Sequence, residues 1–223
     1  MKHILSGCGL ALNRYTWRHN KILTVLYEVA TKQTEEGLYA SKRKKPGRGR
    51  IEVVQGKMEE GKIEFVPQGR NLPGKKSQKE AVEEVIHCDE SWEVSADLKG
   101  CARLLPIPTT KPDLVVWSAE ARTVHLIELT VPHEDNIEKA HERKEQRYKD
   151  LVEECEEAGW QASHFPVEVG CRGFVAASTR KWLGTAGLSP RKVAETVMCM
   201  QETVEKASHW IWLKRKDDTW CEA

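Results

Sequence analysis

The chain has 223 residues, with 35 basic and 34 acidic side chains and 39% hydrophobic content. That is enough apolar material for one sizeable domain. The net charge of +1 gives no overall basic field, so any nucleic-acid role must rest on local charge. No run reaches the roughly 20 apolar residues of a membrane span. The seven cysteines are scattered without a Cys-x-x-Cys pair and read as free thiols of a reducing compartment.

Leu5-Ser6-Gly7-Cys8 mimics a lipoprotein cleavage site, but only Ile4 and Leu5 stand before it as an apolar stretch. A signal core needs roughly 7–15 such residues, so the chain is expected to be nuclear or cytoplasmic, not secreted. Residues 14–32 carry Trp17, Ile22, Val25, Leu26 and Val29 at helical spacing without Gly or Pro, which predicts a helix. Residues 41–50 form a basic loop punctuated by Gly and Pro. Short strands are expected within 51–66, a loop at 67–77 and a short helix at 78–88. Residues 92–98 alternate as a strand does. Two aliphatic runs, Leu114–Trp117 and Val124–Ile127, flank a polar stretch and predict a β-hairpin, ended by Pro132. A long helix follows at 134–158, stopped by Gly159. A strand at 165–169, a short helix at 174–183 and a final helix from Ser189-Pro190 to about Lys214 complete the order. This is a mixed α/β pattern: a central mixed β-sheet flanked by helices. The expected divisions are 1–13, 14–186 with the basic loop, and 187–223 as a C-terminal helix and tail.

The hairpin carries one acid on each strand. Asp113, in Lys111-Pro112-Asp113, opens the first run; Glu128, in Glu128-Leu129-Thr130, closes the second, fifteen residues later. Two convergent carboxylates can hold Mg²⁺ or Mn²⁺, hard cations that take oxygen ligands. Such ions activate water in phosphodiester hydrolysis. The plainer reading is a strand reaching its polar rim. Glu128, Leu126 and Thr130 share one face of their strand, with Ile127 and Leu129 on the other.

The long helix adds a third group. Its apolar stripe runs through Ile137, Ala140, Tyr148, Leu151 and Cys155, and Lys144 falls on it. A charge there is costly unless paired. Packed behind the two acids it could orient water or offset transition-state charge; otherwise it snorkels to solvent. Arg143 and Arg147 flank the stripe. Lys42, Arg43, Lys44, Lys45, Arg48 and Arg50 form a cluster that suits phosphate binding, nuclear localisation or a solvated loop. Arg18-His19-Asn20 reads either as helix surface or, through His19, as a contact to phosphate or metal-bound water. His3 and Cys8 have the His-x4-Cys spacing of half a zinc knuckle. Two ligands do not close a tetrahedral site, so zinc is not expected in this chain.

In order and spacing, His3-x4-Cys8, Arg18-His19-Asn20, Lys111-Pro112-Asp113, Glu128-Leu129-Thr130 and Arg143-Lys144-x-x-Arg147-Tyr148 resemble the C-terminal region of non-LTR retrotransposon polyproteins that carry a restriction-enzyme-like endonuclease. The likeness covers roughly residues 3–155. Gly170-Cys171-Arg172-Gly173-Phe174 and the Trp-rich segment Trp210–Lys214 also look typical. The resemblance implies a PD-(D/E)XK nuclease fold. It implies a DNA substrate, nicked so that a linked reverse transcriptase can prime synthesis. Asp113 and Glu128 match the metal-binding acids, with Lys144 as the catalytic lysine. Arg18, His19, Arg147 and the basic loop would contact DNA. Thr130 stands where many relatives of this fold place lysine; in the retroelement branch the following helix supplies it. The reverse transcriptase, the N-terminal DNA-binding region and the first half of the knuckle are absent, so a fragment of an element or a host gene derived from one is expected. The alternative is a non-catalytic DNA-binding or interaction module with the same fold.

Overall fold

Three successive strands, β1 (Glu93–Ala96), β2 (Leu114–Ser118) and β3 (Thr123–Thr130), pair antiparallel in the computed structural model, which describes residues 2–40, 91–97 and 111–217. A fourth, β4 (Gln161–Glu168), lies parallel to β3, giving a mixed sheet of order β1-β2-β3-β4. The helices are α1 (Lys2–Ser6), α2 (Leu12–Glu35), α3 (Ile137–Glu157), α4 (Ala177–Thr185) and α5 (Pro190–Leu213). Parallel neighbours need a crossover, and α3 provides it between β3 and β4. The described residues therefore form a mixed α/β fold, a four-stranded sheet flanked by helices, within one compact unit.

Alternation along the strands sorts the core into two layers. Leu114, Val116, Ile127, Leu129 and Val167 face α2, α4 and α5, packing on Ile22, Leu26, Trp182, Met200 and Val204. Val115, Trp117, Val124 and Leu126 face α3, packing on Tyr148 and Leu151. Each fully buried Leu or Ile contributes about 1.5–3 kcal/mol, so both faces of the hairpin are held in register. Pro166 sits within β4, which is an edge strand, where a missing N–H is tolerated. The helix set apart at 187 packs along α2, and α1 packs on α5.

Most differences from the expected boundaries come from helix ends. α2 runs to Glu35 rather than 32, because its stop signal is Gly37 at φ 65°. Leu38 N bonds Gln33 O and Gly37 N bonds Thr34 O, closing a Schellman motif. Gly159 and Gly187 end α3 and α4 in the same way. α4 starts at Ala177 rather than 174 because Val175 still bridges to Val169. β4 begins at Gln161, earlier than 165, since it follows β3 from Thr123 onward. α5 has the expected Ser189 cap, whose hydroxyl accepts Lys192 N–H, with Pro190 at its first position. The expectations for 41–90, including the basic cluster, lie outside the described residues. No helix among the described residues is long and apolar enough to cross a membrane.

A histidine is buried at the larger core. His125 Nδ1 accepts the Tyr39 hydroxyl at 3.0 Å, within a ring of Tyr39, Trp92 and Phe165. Burial pushes His125 down to about 4 and raises Tyr39, so both stay neutral and share a hydrogen bond in which the phenol keeps its proton. The unfolded chain then binds a proton at this imidazole more readily between pH 6.5 and 4. Stability is expected to be fully present above about pH 6.5 and to fall toward pH 4, by at most about 3 kcal/mol from this residue. Urea unfolding at stepped pH checks it: His125→Gln should flatten that interval relative to wild type, and parallel curves would refute the assignment.

Candidate active site

The strand register brings acids together at one end of the sheet. Ala96 pairs with Leu114, and one step on Asp97 N–H donates to Asp113 O at 2.8 Å. Leu114 pairs with Ile127, so Asp113 meets Glu128: Asp113 N–H donates to Glu128 Oε2 at 3.2 Å. Asp113 Oδ2 in turn accepts Leu129 N–H at 2.8 Å. Asp113 and Glu128, expected to converge, do so, and each carboxylate is held by the backbone of the other's strand.

Glu128 is buried, with its side chain 7% exposed. α3 supplies what a carboxylate needs there. Lys144 Nζ donates to Oε1, and the Tyr148 hydroxyl donates to Oε2 at 2.6 Å. Lys144 thus lies on the buried stripe but turns to the acid and not to solvent. Burial raises the Glu128 pKa and the Asp113 charge adds to it, while the Lys144 and Tyr148 bonds oppose the rise. Burial and the bond to Glu128 raise Tyr148, which keeps its hydroxyl a donor. The Tyr148 ring stacks on His164, centroids 4.7 Å apart, fixing its direction.

On the opposite wall α2 supplies His19. Its Nε2 lies 3.2 Å from Asp113 Oδ2 and 3.3 Å from Leu129 O, and its Nδ1 lies 3.3 Å from Asn20 Oδ1. Both ring nitrogens thus face acceptors. Burial works against the imidazolium, yet the bond to Asp113 and that acid's charge outweigh it, and the His19 pKa is raised. His19, expected either at the surface or reaching phosphate or metal-bound water, is a direct partner of the first acid. Its neighbour Arg18 departs further from expectation. It is 1% exposed, and its guanidinium donates to Ser208 Oγ at 3.0 Å and Val131 O at 3.3 Å. These bonds tie α2 to α5 and to the residue after β3. A guanidinium bonded to internal acceptors acts in packing, and Arg18 also borders the cleft.

These groups line one cleft of about 920 Å³, walled by α2, the sheet end and α3. Asp97, His19, Asp113, Glu128, Arg143 and Lys144 all border it. Arg147 does not; its guanidinium carbon sits 6.0 Å from the Tyr148 ring centre. Lys42, Arg43, Lys44 and Lys45 lie outside the described residues. His3 falls in α1 and Cys8 after it, with Cys8 N–H bonded to the Tyr15 hydroxyl. Among the described residues no three His, Cys, Asp or Glu side chains are grouped to hold a metal ion. Asp97 is a cleft residue that the sequence does not single out. Its only signal is its place within the alternating run 92–98, and nothing local announces pairing with the Asp113 strand. No protein-family model matches the chain, and no curated protein matches it significantly.

The Lys144–Glu128 pair is testable as an energetic unit. Lys144→Met should cost about 3 kcal/mol, because it strips a buried carboxylate of its counter-charge. Adding Glu128→Gln should restore at least half of the loss. Chemical denaturation of the two single variants and the double variant measures the coupling; strict additivity would exclude the pairing.

Proposed function

We propose that the chain is a metal-dependent DNA endonuclease with a restriction-endonuclease-like core, of retrotransposon origin, that nicks one strand by phosphodiester hydrolysis. The observation that supports this most is the convergence of Asp113, Glu128, Lys144 and His19 in one open cleft. Two carboxylates, one ammonium and one imidazole are the groups that hydrolysis of a phosphate diester needs.

The donor set fits a hard divalent cation. Asp113 and Glu128 offer oxygen ligands, the donors such a cation takes, and its binding would displace the Lys144 ammonium from Glu128 Oε1. These two acids would hold Mg²⁺ or Mn²⁺, which supplies a more acidic water and neutralises charge on the phosphate. The protein's own part is positional. Tyr148 and Asp113 N–H fix the Glu128 carboxylate, while His19 and Leu129 N–H fix Asp113. Lys144, 14% exposed at the cleft wall, is placed to orient water or to meet developing negative charge on phosphate oxygen. In hydrolysis the water oxygen bonds to phosphorus and the ester P–O bond breaks. The attacking water gives up a proton to solvent, and the leaving alkoxide takes one from solvent. In the parent element the nicked strand would serve a reverse transcriptase as primer.

A second reading, a DNA-binding module without activity, draws on the saturation of Glu128. Both of its oxygens carry bonds from Lys144, Tyr148 and Asp113 N–H. Supercoiled plasmid incubated with Mg²⁺ or Mn²⁺ separates the two. Nicking by wild type is expected, with loss in Asp113→Ala and a reduction of about 10–100-fold in His19→Gln, which keeps Asp113 but loosens it. Absence of nicking by wild type, or its survival in Asp113→Ala, rules out the enzyme; DNA binding without cleavage supports the module.

A further inference from the structure

Lys139 and Arg143 stand four residues apart on α3, so they share one face of the helix. Both are exposed, and both line the cleft that holds Asp113 and Glu128. Neither makes an ion pair among the described residues. Three other exposed cations, Lys149, Arg191 and Lys206, are neutralised along their own helices by Glu153, Glu195 and Glu202. The acids of the same stretch of α3 are kept away from this row. Glu138, Glu142 and Glu145 do not line the cleft, and Glu145 lies 3.3 Å from His141 Nε2. The rim beside the acid pair is therefore cationic, and the acids are confined to the cleft floor.

We infer that Lys139 and Arg143 form a track for the phosphodiester backbone of the DNA strand that passes the acid pair, an assignment that rests on the endonuclease reading. A polyanion approaching two carboxylates is repelled unless cations flank its path, and the inward positive charges are already engaged. Lys144 is bonded to Glu128, and His19 to Asp113. The two rim cations are the side chains left to receive phosphate on this wall. A guanidinium and an ammonium one turn apart contact neighbouring phosphates without reading base sequence. The facing wall presents Thr16 and Asn20, which are neutral, and its charged groups are engaged within the protein, Arg18 by Ser208 and Val131 O and His19 by Asp113, so the strand is expected to run along α3 rather than α2.

The test measures binding without cleavage. A fluorescently labelled DNA duplex is titrated with the full chain in EDTA over a KCl series, and the anisotropy yields the slope of log K against log salt. Lys139→Gln/Arg143→Gln should lower that slope by about two, roughly 0.9 for each phosphate no longer neutralised. It should weaken binding at least about tenfold near 0.1 M salt. The control, Lys149→Gln/Lys206→Gln, removes two cations already paired within their helices and should leave slope and affinity unchanged. Circular dichroism checks that both variants fold. An unchanged slope in the rim variant, an equal loss in the control, or no wild-type binding at low salt overturns the track. Plasmid nicking reads the acid pair separately: wild-type nicking with an unchanged rim slope removes the track and leaves the endonuclease standing. A lowered slope without nicking keeps the track and removes the enzyme.

Discussion

Everything at the cleft end of this molecule is arranged around a carboxylate that has been taken out of water. Glu128 sits at the end of β3, buried, and a buried carboxylate without donors is costly. Its three donors come from two different places in the chain. Lys144 and Tyr148 arrive from α3, and Asp113 N–H arrives from the start of β2. Meeting that demand sets how α3 lies on the sheet and how the hairpin ends. The smaller core, Leu126 with Tyr148 and Leu151, follows from the same docking. The packing that stabilises the fold and the polar contacts that shape the cleft are therefore made by the same helix, and largely by the same turn of it.

A second buried charge works on the other wall. Arg18 joins α2 to Ser208 of α5 and to the carbonyl of Val131, just past β3. His19, the next residue, is thereby held against Asp113. The cleft is bracketed by two helices, each clamped by a charged side chain turned inward. This explains how polar groups near the start of α2 are held in place inside the protein. The arginine supplies the anchor and the histidine the contact to Asp113.

The hairpin, the two faces of β3 and the stripe of α3 are readable in the sequence because each depends on local periodicity. Strand alternation puts Glu128 with Leu126, and helical spacing puts Lys144 with Tyr148, whatever the rest of the chain does. The glycine stop at 159 and the proline at 190 are equally local. What cannot be read depends on contacts between distant segments. The burial of Arg18 needs Ser208, 190 residues away. The place of Asp97 needs the β1–β2 register, set across a connection with no periodic signal. His19 shows both limits. Its position in a helix is evident, but its partner lies 94 residues on, and a polar triplet near a helix start looks the same whether it faces solvent or an acid. Thr130 shows the reverse case. That the cation beside Glu128 comes from Lys144, and not from the strand position of Thr130, is evident only once the helix opposite is in place.

The hairpin loop, residues 119–122, bears on how such a site can change over evolutionary time. Arg122 takes a φ of 47° there, and the strands on either side are paired from Ser118 and Thr123 inward. Residues added to the loop lengthen it without disturbing a single cross-strand partner. One residue added inside either strand turns every following side chain to the opposite face. The fifteen-residue interval between the acids is therefore incidental. What heredity must preserve is the odd or even place of each acid within its own strand. Two descendants of this hairpin could differ widely in that interval and still hold their carboxylates against the same lysine.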